Sequence, residues 1–374
     1  MNIAYYMPFK PMGHQNPSGD LITGTELYNH LSGKNHSIEL ASRLRCRWIY
    51  YHPISWLKLL AEEKRITEKY KKENKDIWLS YHSYYKAPDL LGAYCSKKLA
   101  IPYVIFQGIY STKRRRNLKS LPGFILNKKV LLSADHIFTN KKRDHTNLKR
   151  IIKEDNLTYI PPGIRPDDFQ FDIDSRHSIR KKFNPEERTV VMTAAMFRPG
   201  VKTEGISQVI ESCAELIDKG RDICLWIAGD GLCRNELKEK TEKLLPGRAH
   251  FLGKINRDEM YHYYSGADIF AFPGIEESLG MVYLEAQSCS LPAVAVGDWG
   301  GGEAIVDNQT GLLSSAAEKS KFTENIDILL RDPELRTKFG VNARSHIREN
   351  HDLNRNYALL EEKLHLLAIK HRRQ

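Results

Sequence analysis

Residues able to do chemistry concentrate in one run, Phe272-Pro273-Gly274-Ile275-Glu276-Glu277-Ser278-Leu279-Gly280-Met281-Val282-Tyr283-Leu284-Glu285-Ala286. The pattern is an apolar strand, a short loop and a helix. In an open parallel sheet, ligands bind beyond the carboxyl ends of the strands. A helix that starts near Leu279 turns free backbone N–H groups toward such a ligand, and that end suits a phosphate or diphosphate. Gly280 lets a ligand approach the backbone closely. Glu277 precedes the helix and Glu285 lies about two turns into it. Carboxylates accept paired hydroxyl donors well. One of the two can meet a sugar hydroxyl and the other a ribose, which points to a nucleotide-sugar. Two glutamates at this spacing are also common by chance, so the elements around them matter.

Those elements alternate. Apolar β-rich runs occur at 2–6, 77–81, 103–106 and 136–139, and again at 190–193, 223–227, 268–272 and 293–296. Helical patterns separate them. Continuous apolar strands between helices predict parallel sheets covered on both faces. Ile206, Val209, Ile210, Cys213, Leu216 and Ile217 form one helical stripe, with Thr203 as its N-cap and Gly220 at its end. This is the βαβ order of a doubly wound domain. Three prolines and a glycine in Ile160-Pro161-Pro162-Gly163-Ile164-Arg165-Pro166 make a hinge. A polar stretch, 167–188, leads from it into the next strand. The expected domains are 1–164 and 165–350, with a C-terminal helical segment, 351–374.

Length and composition agree with this. The chain has 374 residues, 41% hydrophobic and 28% charged, enough for two domains with full cores. This excludes disorder, a collagen-like fibre and a small disulfide scaffold. The six cysteines, Cys46, Cys95, Cys213, Cys224, Cys233 and Cys289, include no Cys-x-x-Cys pair, so a zinc ribbon or dithiol redox site is not expected. No signal peptide and no bilayer-spanning run of ~18 apolar residues is visible, which predicts a cytoplasmic location. Charge is asymmetric. Residues 1–160 contain 28 Lys and Arg against 13 Asp and Glu, a net of +15, while the remainder sums to −4. The excess peaks at Lys113–Lys119 and at Lys141-Lys142-Arg143. It is either a solvated basic face or an attraction to an anionic partner, such as acidic lipid headgroups or a phosphorylated acceptor. No nucleic-acid-binding motif accompanies it, so nucleic acid is not an expected partner.

The 272–286 run resembles the E-x7-E motif of glycosyltransferase family 4, the retaining GT-B enzymes. Ala228-Gly229-Asp230-Gly231 is similar to the family's turn after a strand. Phe251-Leu252-Gly253 is similar to its segment near the nucleobase. Gly300-Gly301-Gly302-Glu303 and Thr310-Gly311-Leu312-Leu313 resemble its late glycine motifs. The resemblance covers roughly residues 190–315. It implies a GT-B fold: two Rossmann-like doubly wound domains facing a cleft, the C-terminal helix packing back on the N-terminal domain. The donor would sit on the C-terminal domain and the acceptor on the N-terminal one. Glu277 would contact the donor sugar near the reaction centre, and Glu285 would hold the ribose. Leu279, Gly280 and Met281 would offer N–H groups to the phosphates, and Gly253 and Ile255 would line the donor site. Arg198 and Lys202 would neutralise the leaving diphosphate, although Arg-x3-Lys is shorter than the family's usual gap.

The N-terminal half departs from the pattern. Many members have a histidine where this chain has Gln107. Glutamine cannot act as a general base, but it can hydrogen-bond a sugar hydroxyl. His82 and Gly24, the latter at a helix start, are further acceptor-side candidates, and both residue types also build ordinary structure. The expected reaction moves a sugar from a nucleotide-diphosphate sugar to an acceptor hydroxyl with retention, in polysaccharide, lipopolysaccharide or glycolipid synthesis. The expected partners are a nucleotide-sugar donor, a glycan or glycolipid acceptor and an anionic membrane surface, which would make the protein peripheral to the membrane. No cofactor and no metal are expected, because two cations and a helix end suffice for the leaving group. A GT-B phosphorylase, a sugar-nucleotide epimerase and a non-catalytic nucleotide-sugar-binding scaffold remain as alternatives.

Overall fold

The computed structural model describes residues 1–14, 19–183, 187–277 and 279–372. Ser278, inside the motif, and Arg373 lie outside the described residues. The chain divides into two units. One comprises Met1–Ile160 with Asn354–Gln374, and the other Pro161–Leu353.

The first unit holds six parallel strands: β1 (Asn2–Tyr6), β2 (Ser37–Ser42), β3 (Ile77–Ser83), β4 (Tyr103–Gly108), β5 (His136–Thr139) and β6 (Leu157–Tyr159). Their order is β2-β1-β3-β4-β5-β6. The second unit holds β7 (Thr189–Ala194), β8 (Ile223–Ala228), β9 (Ala249–Gly253), β10 (Ile269–Ala271), β11 (Ala293–Val296) and β12 (Gly311–Ser314), in the order β12-β11-β10-β7-β8-β9. All pairings within both sheets are parallel. Each order reverses once, between β1 and β3 and between β7 and β10. Such a reversal opens a crevice at the carboxyl ends of the two strands, where a ligand fits.

Burial follows the apolar runs. β3, β4 and β8 are buried along their whole length. The helix Val201–Asp218 buries Ile206, Val209, Ile210, Cys213 and Leu216 against the second sheet's core. Each such aliphatic side chain contributes ~1.5–3 kcal/mol when fully buried. The helix ends at Gly220, which takes φ +86 as a left-handed cap does. It begins earlier than Thr203, however. Gly200 is the N-cap, and the Thr203 hydroxyl donates to the Arg198 carbonyl at 2.7 Å inside the first turn. The polar stretch after the hinge is also more than a connection. It folds into the helix Ile173–Phe183, and Arg176 and Arg180 both pair with Asp268 at the foot of β10. The C-terminal helix, Leu353–Arg372, packs in the first unit, where Tyr357 meets the rings of Phe106 and His30.

Candidate active site

The second sheet's reversal point gathers the charged residues. Lys202 lies in the first turn of the helix that follows β7, and Glu277 lies in the loop that follows β10. The two strands are neighbours, with Ile269 opposite Val191. Their loops therefore open side by side, and the Lys202 ammonium donates to Glu277 Oε2. Burial, reinforced by the Arg198 guanidinium, pushes Lys202 down to about 8. The Glu277 carboxylate opposes that fall by favouring the cation. Arg198 is exposed, one turn ahead of the same helix.

Glycines fix this arrangement by close backbone approach. Gly280 is the N-cap of the helix Met281–Ser288, so the helix begins two residues later than the sequence pattern suggests. Gly280 takes φ +65, and a Cβ there would lie 2.6 Å from the Gly300 carbonyl oxygen. A Cβ on Gly300 would lie 2.7 Å from Gly280 N. The Gly300 N–H donates to the Glu277 carbonyl at 3.1 Å. Gly280 is thus required by its own chain, where the sequence suggested room for a ligand. Gly229 and Gly231 do the same for the other loop. The Phe197 N–H donates to Asp230 O at 3.0 Å, and a Gly229 Cβ would meet the Ala195 carbonyl oxygen. The glycine turn after β8 therefore positions the segment that carries Arg198. Leu279 is buried, and Met281 is half-buried at the first helical position.

Glu285 is buried and already engaged. Arg257 Nε donates to Glu285 Oε1 at 2.9 Å, and Tyr264 Oη to Oε2 at 3.4 Å. Arg257 and Tyr264 were not visible as site residues in the sequence, because neither belongs to a local motif. The only local signal is that Arg257 follows the loop after β9. Gly253 ends β9 with φ +76, and Ile255 packs against the core. Arg257 also lines a cavity of ≈ 760 Å³ with Phe169, Asp258 and Tyr261. Neither Glu277, Lys202 nor Arg198 lines it, so the cavity is separate from the leaving-group end of the site.

The first sheet's reversal point holds His82 and Asp20. His82 is buried at the end of β3, with Nδ1 3.6 Å from Asp20 Oδ1. Burial lowers its pKa, the Asp20 carboxylate opposes the fall and Lys141 adds to it. His82 and Gln107 both take positive φ, 71° and 67°, on adjacent strands. Non-glycine residues rarely do so, and such strain collects at functional sites. Gln107 Oε1 accepts from Asn140 N at 3.2 Å, while among the described residues its Nε2 meets no acceptor. Gly24 is a correction. It lies in the interior of the helix Gly19–Ser32, where a Cβ would meet Met7 and Tyr81, and Tyr5 Oη donates to its carbonyl. It is a packed glycine inside the helix, not at the start of one.

Two groups bear on metal binding. The chain holds one Asp-x-Asp, Asp172-Ile173-Asp174, at the start of the helix Ile173–Phe183. Asp172 acts as a cap, its Oδ1 accepting from Asp174 N at 3.1 Å and its Oδ2 from the Ser175 hydroxyl. His36, Glu361 and His365 bring donor atoms within 4.8 Å of one another. His36 Nε2 lies 2.9 Å from Glu361 Oε1, a contact that fastens the C-terminal helix beside β2.

Comparisons with known proteins agree with this architecture. Residues 175–346 match the family described as "Glycosyl transferases group 1". The GDP-mannose-dependent alpha-(1-6)-phosphatidylinositol monomannoside mannosyltransferase of Mycolicibacterium smegmatis is 30% identical over 202 residues, 52% of each chain. The chain spans about half the length of the curated relatives it matches. HepE of Anabaena, solved with UDP, superposes with a TM-score of 0.76 at 16% identity, covering 97% of this chain and 99% of that one. Sucrose-phosphate synthase of Thermosynechococcus elongatus gives 0.73 at 17% identity, covering 98% and 99%. Residues 175–346 are therefore similar to the group 1 glycosyl transferases, and the chain has the GT-B fold of the structures on which it superposes.

Proposed function

We propose that this protein is a retaining, metal-independent hexosyltransferase of glycosyltransferase family 4. It moves a sugar from a nucleotide-diphosphate sugar to a hydroxyl of a glycan or glycolipid acceptor during assembly of an envelope glycolipid or polysaccharide. The observation that carries this reading is the Lys202–Glu277 pair at the reversal point of the second sheet.

The physical case is as follows. Cleavage of the sugar–phosphate bond builds oxocarbenium character on the sugar and negative charge on the departing diphosphate. Lys202, Arg198 and the N–H groups from Leu279 to Met281 neutralise that charge. Loss of one such donor costs ~10²–10³ in rate. Glu277 holds Lys202 in place and receives sugar hydroxyls. Glu285, oriented by Arg257, receives the ribose. Gln107 cannot remove a proton, so the leaving phosphate oxygen takes the acceptor's proton. The new bond forms on the face that the phosphate leaves, and the configuration is retained. The first unit binds the acceptor, and its basic charge suits one held at an anionic surface.

The test is a thermal-shift panel with UDP, GDP, ADP and their sugar conjugates, on wild type and Glu285→Ala. A ligand at ~100 times its dissociation constant stabilises by about 2.7 kcal/mol. Selective stabilisation by one nucleotide, lost in the variant, supports the donor site and names the base. The relatives leave the base open, since one is named for GDP-mannose and another was solved with UDP. No shift with any nucleotide overturns the reading. NMR of the transferred anomeric centre then tests retention, and activity in chelator tests metal-independence.

A further inference from the structure

We propose that His36, Glu361 and His365 form a binding site for a divalent ion of the zinc class, which staples the C-terminal helix to the first unit. These residues take no part in the transfer chemistry proposed above, and the site does not rest on that reading.

Glu361 and His365 stand four residues apart in the helix Leu353–Arg372. That spacing puts both side chains on one face, one turn apart, and so supplies two metal ligands from a single helix. The third comes from the other end of the chain. His36 directly precedes β2, the edge strand of the first sheet. Packing of the C-terminal helix in this unit brings the three donor atoms within 4.8 Å of one another. His36 Nε2 lies 2.9 Å from Glu361 Oε1. The His36 and His365 rings stand 5.3 Å apart, inclined at 54°. A hydrogen bond alone accounts for His36 beside Glu361. It does not call for the second imidazole.

The geometry suits an ion. Zinc takes imidazole nitrogen and carboxylate oxygen at ~2.0–2.2 Å in a tetrahedron, which sets its ligand atoms roughly 3.3 Å from one another. His36 and Glu361 are already that close. The His36 side chain is 4% exposed, and its Nδ1 faces the Met1 nitrogen at 3.3 Å, which leaves Nε2 turned toward the cluster. His365 is exposed, so its ring can turn through the remaining distance without disturbing the core. It also gives the ion a path from solvent. Binding replaces the proton that His36 Nε2 shares with Glu361.

The donor set selects the ion. Two imidazoles and one carboxylate suit zinc and its neighbours, with a water in the fourth position. Magnesium and calcium take oxygen ligands, and one carboxylate is too few. The position gives the ion its role. His36 and Glu361 are 325 residues apart in sequence. Metal clips that close long loops have the largest effect on stability. The end of the same helix is tied by His371 Nε2 to the Ala100 carbonyl and by Arg372 to Asp76. The ion would hold its middle.

The experiment is isothermal titration of the untagged full chain with zinc chloride, after treatment with chelator and its removal. One zinc ion per chain is expected, and magnesium chloride should give no binding. Cobalt(II) in its place should show the visible absorption of a four-coordinate ion. His365→Ala and Glu361→Gln should each weaken zinc binding by more than about tenfold and lose the cobalt signal. Circular dichroism checks that both variants are folded. Zinc at ~100 times its dissociation constant should raise the melting temperature of wild type by roughly 5–10 °C, and that of neither variant. No saturable binding by wild type overturns the proposal. So does zinc binding of equal strength in both variants, which would assign the ion to other groups. Binding without a rise in melting temperature overturns the staple. Activity in chelator is also measured on His365→Ala, whose site is already broken, which keeps the test of metal-independent transfer separate from this one.

Discussion

Lys202 and Glu277 are far apart in the chain, yet the ammonium of one rests on the carboxylate of the other. The contact exists because β7 and β10 are neighbours and their following loops open at the same reversal point. Lys202→Met should lower kcat by ~10²–10³ with little change in the dissociation constant of the intact nucleotide-sugar donor, because the charge it meets develops in the transition state. Steady-state kinetics beside titration of the intact donor checks this. A large loss of donor affinity with unchanged kcat would contradict it.

The same lysine sets a pH limb. Burial and Arg198 favour its neutral form, so its proton leaves at about 8. The cation is present below that pH and lost above it. kcat/KM is therefore expected to fall as pH rises through about 8. Lys202→Arg keeps its charge at every accessible pH and should remove the limb while retaining part of the activity. A limb that survives the substitution belongs to another group.

Arg257 orients Glu285 through a 2.9 Å hydrogen bond. Hydrogen bonds to charged groups contribute ~1.5–3 kcal/mol, and Arg257 is partly exposed, which places the effect at the low end. Arg257→Ala should raise the donor dissociation constant about tenfold. Isothermal titration with the nucleotide found in the thermal panel reads this directly.

Gly280 and Gly300 touch through their backbones, leaving no room for a methyl group on either. Gly300→Ala should destabilise the second unit by ~1–3 kcal/mol and abolish nucleotide binding, since it displaces the loop holding Glu277. Gly247→Ala is the control. It also has positive φ, 69°, but open space around it. It should cost stability and leave binding intact.

Acid sensitivity should come from the first unit. Burial, with Lys363 nearby, lowers His136 from 6.5 to about 4. Between these values the unfolded chain takes up a proton that the folded one refuses, so stability falls as pH drops through that window. His136→Gln should flatten the melting temperature between pH 6.5 and about 4 relative to wild type. Equal slopes would assign the sensitivity elsewhere.

Eight strands were legible as apolar runs, and they are the eight interior strands of the two sheets. The four without such a run, β2, β6, β9 and β12, are the four sheet edges. Edge strands are covered on fewer sides, and β9 is only half-buried throughout. Their residues therefore carry no continuous hydrophobic signal. The site divides similarly. Glu277, Gly280 and Glu285 stand in one local motif and could be read together. Arg257 and Tyr264 come from a separate segment and meet Glu285 only through packing.

By composition and pattern, the residues alone determined the doubly wound α/β class, the two-domain length, the basic first half and the strand–loop–helix motif. Each of these depends on local spacing or summed charge, which a linear chain already contains. Tertiary structure decided which charges become partners, why Gly24 is packed inside a helix, and why Gly280 and Gly300 must be glycines. Those depend on the order of strands in a sheet and on backbones approaching within a methyl's width, distances that the chain acquires only when segments remote in sequence are packed together.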